Sequence, residues 1–131
     1  MDRSWWDAYA HHVAKDGFAG ARVTCCRVPG VQTIPSHFIR NSGAGAMMLA
    51  ASWGAERIVL LGYDCMASGG RKHWHTDHPR GLGNAGSLPK WPGQFAEVNA
   101  ELRRRGIAVV NASRRTALTC FERGSLEECL R

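Results

Sequence analysis

The stretch N-S-G-A-G-A-M-M-L-A-A-S-W-G-A-E-R-I-V-L-L-G-Y-D, residues 41–64, decides the fold. Asn41 and Ser42 are residues that cap a helix start, because a short side-chain oxygen can accept from the first free amides. Residues 44–53 (A-G-A-M-M-L-A-A-S-W) are small, apolar and helix-favouring, and Gly54 stands where a helix is commonly stopped by a left-handed glycine. After a two-residue link, residues 57–62 (R-I-V-L-L-G) form a short continuous apolar run rich in β-formers. Such a run suits a strand buried on both faces, as in a parallel sheet. The helix is apolar nearly all round, so it too is expected to be buried, with small residues that allow close approach to the sheet.

The flanks repeat this alternation. Residues 4–15 read as a first helix capped by Ser4 or Asp2, punctuated by Gly17 and Gly20. Residues 21–27 (A-R-V-T-C-C-R) read as a strand ended by V-P-G, and residues 31–34 as a short second strand. Downstream, residues 92–105 are an amphipathic helix with Phe95, Val98 and Leu102 on one stripe and Gly106 as its stop. Residues 107–111 (I-A-V-V-N) are a buried strand. Residues 125–130 are a short helix capped by Ser125, with Glu127 and Glu128 in the first turn, where the helix dipole favours negative charge. The order α-β-(β)-α-β-loop-α-β-α predicts one domain over residues 1–131. Its expected form is an α/β fold of parallel β-α-β units, a mostly parallel sheet flanked by helices. In such sheets ligands bind beyond the carboxyl ends of the strands. Tyr63-Asp64 and Asn111-Ala112-Ser113 fall there, and so does the start of residues 63–88, a long Gly-, His- and charge-rich segment without periodicity. Loops of that length in a small domain are functional or disordered.

Bulk properties narrow the function classes. A hydrophobic content of 44% and a charged content of 21% are globular values. No apolar run approaches the roughly 20 residues that span a bilayer, and no basic-then-apolar leader pattern opens the chain, so a cytoplasmic, membrane-free protein is expected. Five cysteines, odd in number and without a C-x-x-C pair, argue for reduced thiols; adjacent Cys25 and Cys26 would point to opposite faces of a strand. The formal charge of +6 favours anionic partners such as nucleotides, sugar phosphates or nucleic acid. No nucleic-acid motif accompanies it. Much of the excess sits in Arg103–Arg105 and Arg114-Arg115, and Arg103–Arg105 read either as the solvated face of a helix or as a dedicated anion site.

His73-Trp74-His75-Thr76-Asp77-His78 spells H-x-H-x-D-H, the metal-binding signature of the metallo-β-lactamase superfamily. That family supplies further His and Asp ligands later in the chain, and none follows His78 here. S-G-G-R-K precedes the motif where a strand should, so no metal is assigned. A zinc ion held by His73, His75 and His78, and a zinc-dependent hydrolase that adds Asp77, stay as alternatives. The other readings are a base or positioning histidine in an active-site loop, and polar loop residues bonded to backbone around a core-plugging Trp74.

Residues 41–64 together resemble the N-S-G…A…L-G-x-x-x-I-x-L-x-G-x-D segment of a Rossmann-like group that includes bacterial CMP-sialic-acid-dependent sialyltransferases and related phage proteins. The phage-type members are similar further along, at G-G-x-x-H-W-x-x-D-H-P (residues 69–79) and V-N-A-S-R-R-T-A-L-T-C-F (residues 110–121), and W-W-D at residues 5–7 fits too. The resemblance implies a three-layer, Rossmann-like fold and a glycosyltransferase-like phage or prophage protein that binds a nucleotide sugar or similar anion; no cofactor is expected unless the zinc alternative holds. Asn41, Ser42 and Gly43 would form a donor-side turn whose amides and helix start hold a phosphate or carboxylate. Asp64, and Asn111 at the end of the next strand, would face the same cleft. A loop histidine, His73 first and otherwise His75 or His78, would act as general base. The alternatives for these residues are a plain helix cap at Asn41–Gly43 and a loop-capping carboxylate at Asp64. In the group, a strand and a G-x-G-P-S or G-G-P-S nucleotide loop come earlier. This sequence starts downstream of them, as expected of a C-terminal fragment or of a shortened relative that has lost nucleotide binding. An open sheet edge would then invite a second copy or a partner chain. A non-catalytic accessory or host-interaction protein on a decayed enzyme scaffold is the alternative function.

Overall fold

A computed structural model of the chain describes residues 3–34, 40–72, 76–79, 81–83 and 85–131. In chain order it contains α1 (Arg3–Lys15), β1 (Val23–Thr24), β2 (Gln32–Thr33), α2 (Ser42–Ser52), β3 (Arg57–Leu60), a 3-10 turn (Leu88–Lys90), α3 (Trp91–Arg104), β4 (Ala108–Asn111), β5 (Glu122–Arg123) and α4 (Leu126–Cys129). Among the described residues the strands form two sheets, β1-β2 and β3-β4-β5, and every pairing is parallel. The expected α/β alternation with parallel strands is therefore present.

Register explains where the core lies. Ile58 pairs with Val109 and Leu60 with Asn111, so these four side chains share one sheet face. That face packs under Ala44 and Met47 of α2, and Phe95, Val98 and Leu102 of α3, with Leu118 and Phe121 closing one end. The α3 stripe is the one expected from its spacing, and Gly106 ends it at φ 76. The alternate strand positions, Val59 and Val110, are only half-buried. Gly124 lies against the second of them: a Cβ there would stand 3.0 Å from Val110 Cγ1. Burial of these strands is thus complete on one face only, short of the expectation for both.

Three further expectations change. Helix α2 is not buried all round: Ala46 and Ser52 are exposed, Leu49 is half-buried, and Trp53 just beyond the helix is 64% exposed. Its small residues let α3 and the sheet close on one side and leave the other side open. The strand expected over residues 21–27 shrinks to Val23–Thr24, because Thr24 Oγ1 takes the Cys26 amide at 3.3 Å and Arg3 takes the Arg27 carbonyl at 2.9 Å. Such local side-chain bonds compete with a ladder. Lastly, β5 carries no apolar alternation and was not foreseen; it is placed by pairing Glu122 and Arg123 with Val110 and Asn111.

Buried polar groups tie these layers together. Asn99 on α3 donates to the Cys120 carbonyl at 2.5 Å, fastening the β4–β5 connection to the helix. Glu101, also buried, receives Arg104 at 2.7 Å and Arg105 at 2.6 Å, and the two guanidinium groups hold its carboxyl below the ordinary range. Two of the three clustered arginines are therefore structural. Helix α4 starts with the expected cap: Ser125 Oγ accepts from the Glu128 amide at 3.2 Å and Glu128 accepts from the Ser125 amide at 2.9 Å, a reciprocal box. No disulfide links the five cysteines. Among the described residues no helix is long and apolar enough to cross a membrane.

Leu102 is fully buried between α3 and the sheet. Leu102→Ala is expected to lower the unfolding free energy by about 2–5 kcal/mol in urea titration, with the exposed neighbour Arg103→Ala within about 0.5 kcal/mol of the parent. A smaller loss at Leu102 would mean that this core is not closed.

Candidate functional site

The turn into α2 sets one wall of a cavity. Asn41 sits in extended backbone (φ −149, ψ 162), and its Oδ1 accepts from the Ala44 amide at 2.8 Å. Its Nδ2 donates to Gln94 Oε1 at 2.9 Å, which joins the starts of α2 and α3. The helical ladder begins where the Gly45 amide reaches the Asn41 carbonyl at 3.0 Å. Among the described residues, the amides of Ser42 and Gly43 have no acceptor. The cap reading of Asn41 holds, and two helix-start donors remain for a guest.

Gly43 is needed for a close approach. A Cβ at this position would lie 3.0 Å from both Phe95 Cζ and Tyr63 Cε1. The Tyr63 hydroxyl donates to the Gly43 carbonyl at 3.3 Å, and the Tyr63 and Phe95 rings meet edge-on at 5.7 Å. This aromatic contact binds the helix start to the chain leaving β3. Burial raises the Tyr63 hydroxyl above its ordinary value, with a smaller contribution from Cys65.

The segment after β3 is held from behind. Gly62 turns it at φ 70. The Tyr63 amide donates to Ser113 Oγ at 2.8 Å, and the Tyr63 carbonyl accepts from Thr116 Oγ1 at 2.6 Å and Asn111 Nδ2 at 3.4 Å. Asn111 Oδ1 accepts from the Ser113 amide at 3.0 Å, and the Asp64 carbonyl accepts from Ala117 at 2.8 Å. Asn111, expected to touch substrate, is 0% exposed and does not line the cavity. Its amide is fully engaged by this loop, so it shapes the site from within. Asp64 keeps an exposed side chain at the cavity wall. Cys65 follows in left-handed backbone at φ 48. Burial, then the Asp64 charge, pushes its thiol up to about 11.

The opposite wall is cationic. Ser68 and Arg71 exchange amide–carbonyl bonds, both 3.0 Å, across Gly69 and Gly70, whose φ values are 56 and 76. Positive φ at both central residues is the turn geometry that glycine supplies most readily. It presents Arg71 and Lys72 to the cavity, which has a volume of about 640 Å³ and is completed by Trp91 and Leu88. Arg71 and Lys72 were missed from the sequence; the signal was the G-G pair followed directly by two cations.

The structure thus brings Asn41, Ser42, Gly43 and Asp64 to one cavity. His73 and His75 lie outside the described residues. His78 is half-buried and does not line this cavity. Among the described residues no three His, Cys, Asp or Glu side chains converge as metal ligands. Among its described residues the cavity offers two free amides, two cations, one carboxylate and aromatic faces. No family model, no curated protein and no solved structure matches this chain.

Two outcomes follow. Asn41→Ala removes the cap and is expected to cost about 0.5–2 kcal/mol in urea unfolding, while Asn41→Asp keeps the acceptor, loses only the donation to Gln94, and falls between. The second concerns pH. Between the ordinary thiol value of 9.0 and about 11, an unfolded chain ionises Cys65 and the folded chain does not. The unfolded state then binds fewer protons, so stability falls as pH rises through that window. Cys65→Ser is expected to flatten this fall relative to the parent; identical pH profiles would rule Cys65 out as its source.

Proposed function

We propose that the cavity binds an anionic small molecule of the nucleotide-sugar class, on a Rossmann-like, three-layer fold of the sialyltransferase-related phage type, in the host cytoplasm. The observation that carries this reading is the meeting of the free Ser42 and Gly43 amides with Arg71 and Lys72 across one cavity. Helix-start amides and cations are the groups that hold a phosphate or carboxylate. The faces of Tyr63 and Trp91 give a flat ring somewhere to rest, and Asp64 accepts from sugar hydroxyls. The cavity lies beyond the carboxyl end of β3, where parallel sheets bind ligands. Its volume falls within the range of small-molecule sites, about 300–1,000 Å³.

In this reading the acceptor hydroxyl attacks the sugar while His73, His75 or His78 removes its proton. The Ser42 and Gly43 amides, with Arg71 and Lys72, stabilise the leaving phosphate. A second reading, binding without turnover in a phage accessory protein, is favoured by the place of His78 outside the cavity wall.

Thermal unfolding with CMP, UMP, their sugar conjugates and inorganic phosphate tests the proposal. A ligand at 100 times its dissociation constant adds about 2.7 kcal/mol to stability. Stabilisation by a nucleotide or its sugar conjugate, abolished in the exposed double variant Arg71→Ala/Lys72→Ala, is the expected result. No shift with any of them sinks the proposal. Hydrolysis or transfer of the bound sugar, lost in His73→Ala, separates the enzyme from the accessory protein.

A further inference from the structure

Helix α2 has a second working side. Its carboxyl-terminal half, with Leu49 and then Trp53, faces Trp5, Trp6 and Val13 of α1 and the segment from Phe18 to Val23. Together they enclose a groove of about 360 Å³, separate from the cavity described above. Its floor is packed: Trp6 is 4% exposed and meets Trp5 edge-on at 5.2 Å. Its rim is not, since Phe18 is 57% and Trp53 64% exposed. Bulky rings left in water at the mouth of an apolar slot mark a surface that gains from being covered.

Two polar features say by what. Arg22 stands in the groove wall, half-buried, and among the described residues no carboxylate pairs with it; Asp7 pairs with Arg3, and Glu101 with Arg104 and Arg105. The Trp6 indole nitrogen is buried and has no acceptor among the described residues. Among the described residues the groove therefore holds a cation without a counter-ion, beside a buried donor without an acceptor, which is costly. A carboxylate answers the cation, because guanidinium and carboxylate match in shape as well as charge. The slot has the volume of a small-molecule site. With Arg22 as the one cation among its described lining residues, it shows no cluster of several Lys and Arg of the kind an anionic membrane surface attracts.

From this geometry we infer that the α1–α2 groove is a binding site for a small amphiphile with an apolar body and a carboxylate head, the chemistry represented by decanoate. The body lies between the Trp5, Phe18 and Trp53 rings against Leu49, and the head sits on Arg22. The site is independent of the anion cavity at the other end of α2.

Isothermal titration of the intact chain with decanoate, below its micelle concentration, tests this against decanol and decylamine. Saturable one-to-one binding of decanoate is expected, with decanol weaker and decylamine weaker still. Arg22→Gln is expected to weaken decanoate by about tenfold, the loss of one charged hydrogen bond. Trp53→Ser, a change at an exposed ring, should weaken all three ligands. Urea unfolding of each variant checks that the fold is kept, and Arg71→Ala/Lys72→Ala should bind decanoate like the parent. Absence of saturable binding, equal affinity for decylamine, or an unchanged affinity in a folded Arg22→Gln variant would each overturn the inference. So would sedimentation with phosphatidylglycerol vesicles by a chain that ignores monomeric decanoate.

Discussion

The side-chain amide of Asn41 is used at both ends, its oxygen on the Ala44 amide and its nitrogen on Gln94. The first bond fixes where α2 begins, and the second fixes where that beginning stands relative to α3. Because α2 must then approach α3 closely at its first turn, the next position but one has no room for a side chain, and Gly43 rests on the Tyr63 and Phe95 rings. The rings in turn place Tyr63 at the end of β3, which sets Asp64 on the cavity wall. A residue that caps a helix thus also sets the position of groups that line the cavity.

The same cavity depends on polar groups that no ligand meets. Asn111, Ser113 and Thr116 hold the Tyr63 backbone by both its amide and its carbonyl. In a buried setting each such bond is worth little net, yet leaving one unmade is expensive. The result is a rigid back wall. The cationic front wall is built differently, on a glycine turn with exposed side chains, and carries charge with few packing contacts. One wall defines shape and the other supplies attraction.

Residues 41–64 were legible because helix, stop and strand are each written in local chemistry: a cap residue, a small apolar run, a left-handed glycine and a β-branched run. The α3 stripe and β4 were legible for the same reason. Strand β5 was not, since Glu122-Arg123 has no pattern of its own and takes its conformation from β4. Neither was the outward face of α2: composition shows that a helix is apolar but not which neighbours will cover it, and α1 leaves Trp53 in water. Asn41, Ser42, Gly43 and Asp64 could be placed together from the sequence because a helix start and a strand end come to one cavity. Asn111 also ends a strand and does a different job, since position at a strand end does not reveal which way an amide turns. Arg71 and Lys72 went unseen because charge in a loop carries no periodicity.

The wall held by Ser113 and Thr116 has a consequence for the order in which the molecule is made. These residues lie 50 and 53 positions after Tyr63, the residue they secure. A ribosome that has emitted every described residue lining the cavity, through Phe95, has still to emit β4 and the loop that steadies Tyr63 and Asp64. Closing a loop of that length costs entropy that only the finished β3–β4 pair can offset. A nascent chain at that stage carries all of the described lining residues without the bonds that hold the Tyr63 backbone. The cavity is therefore a late product of synthesis, although all of its described lining residues are made early.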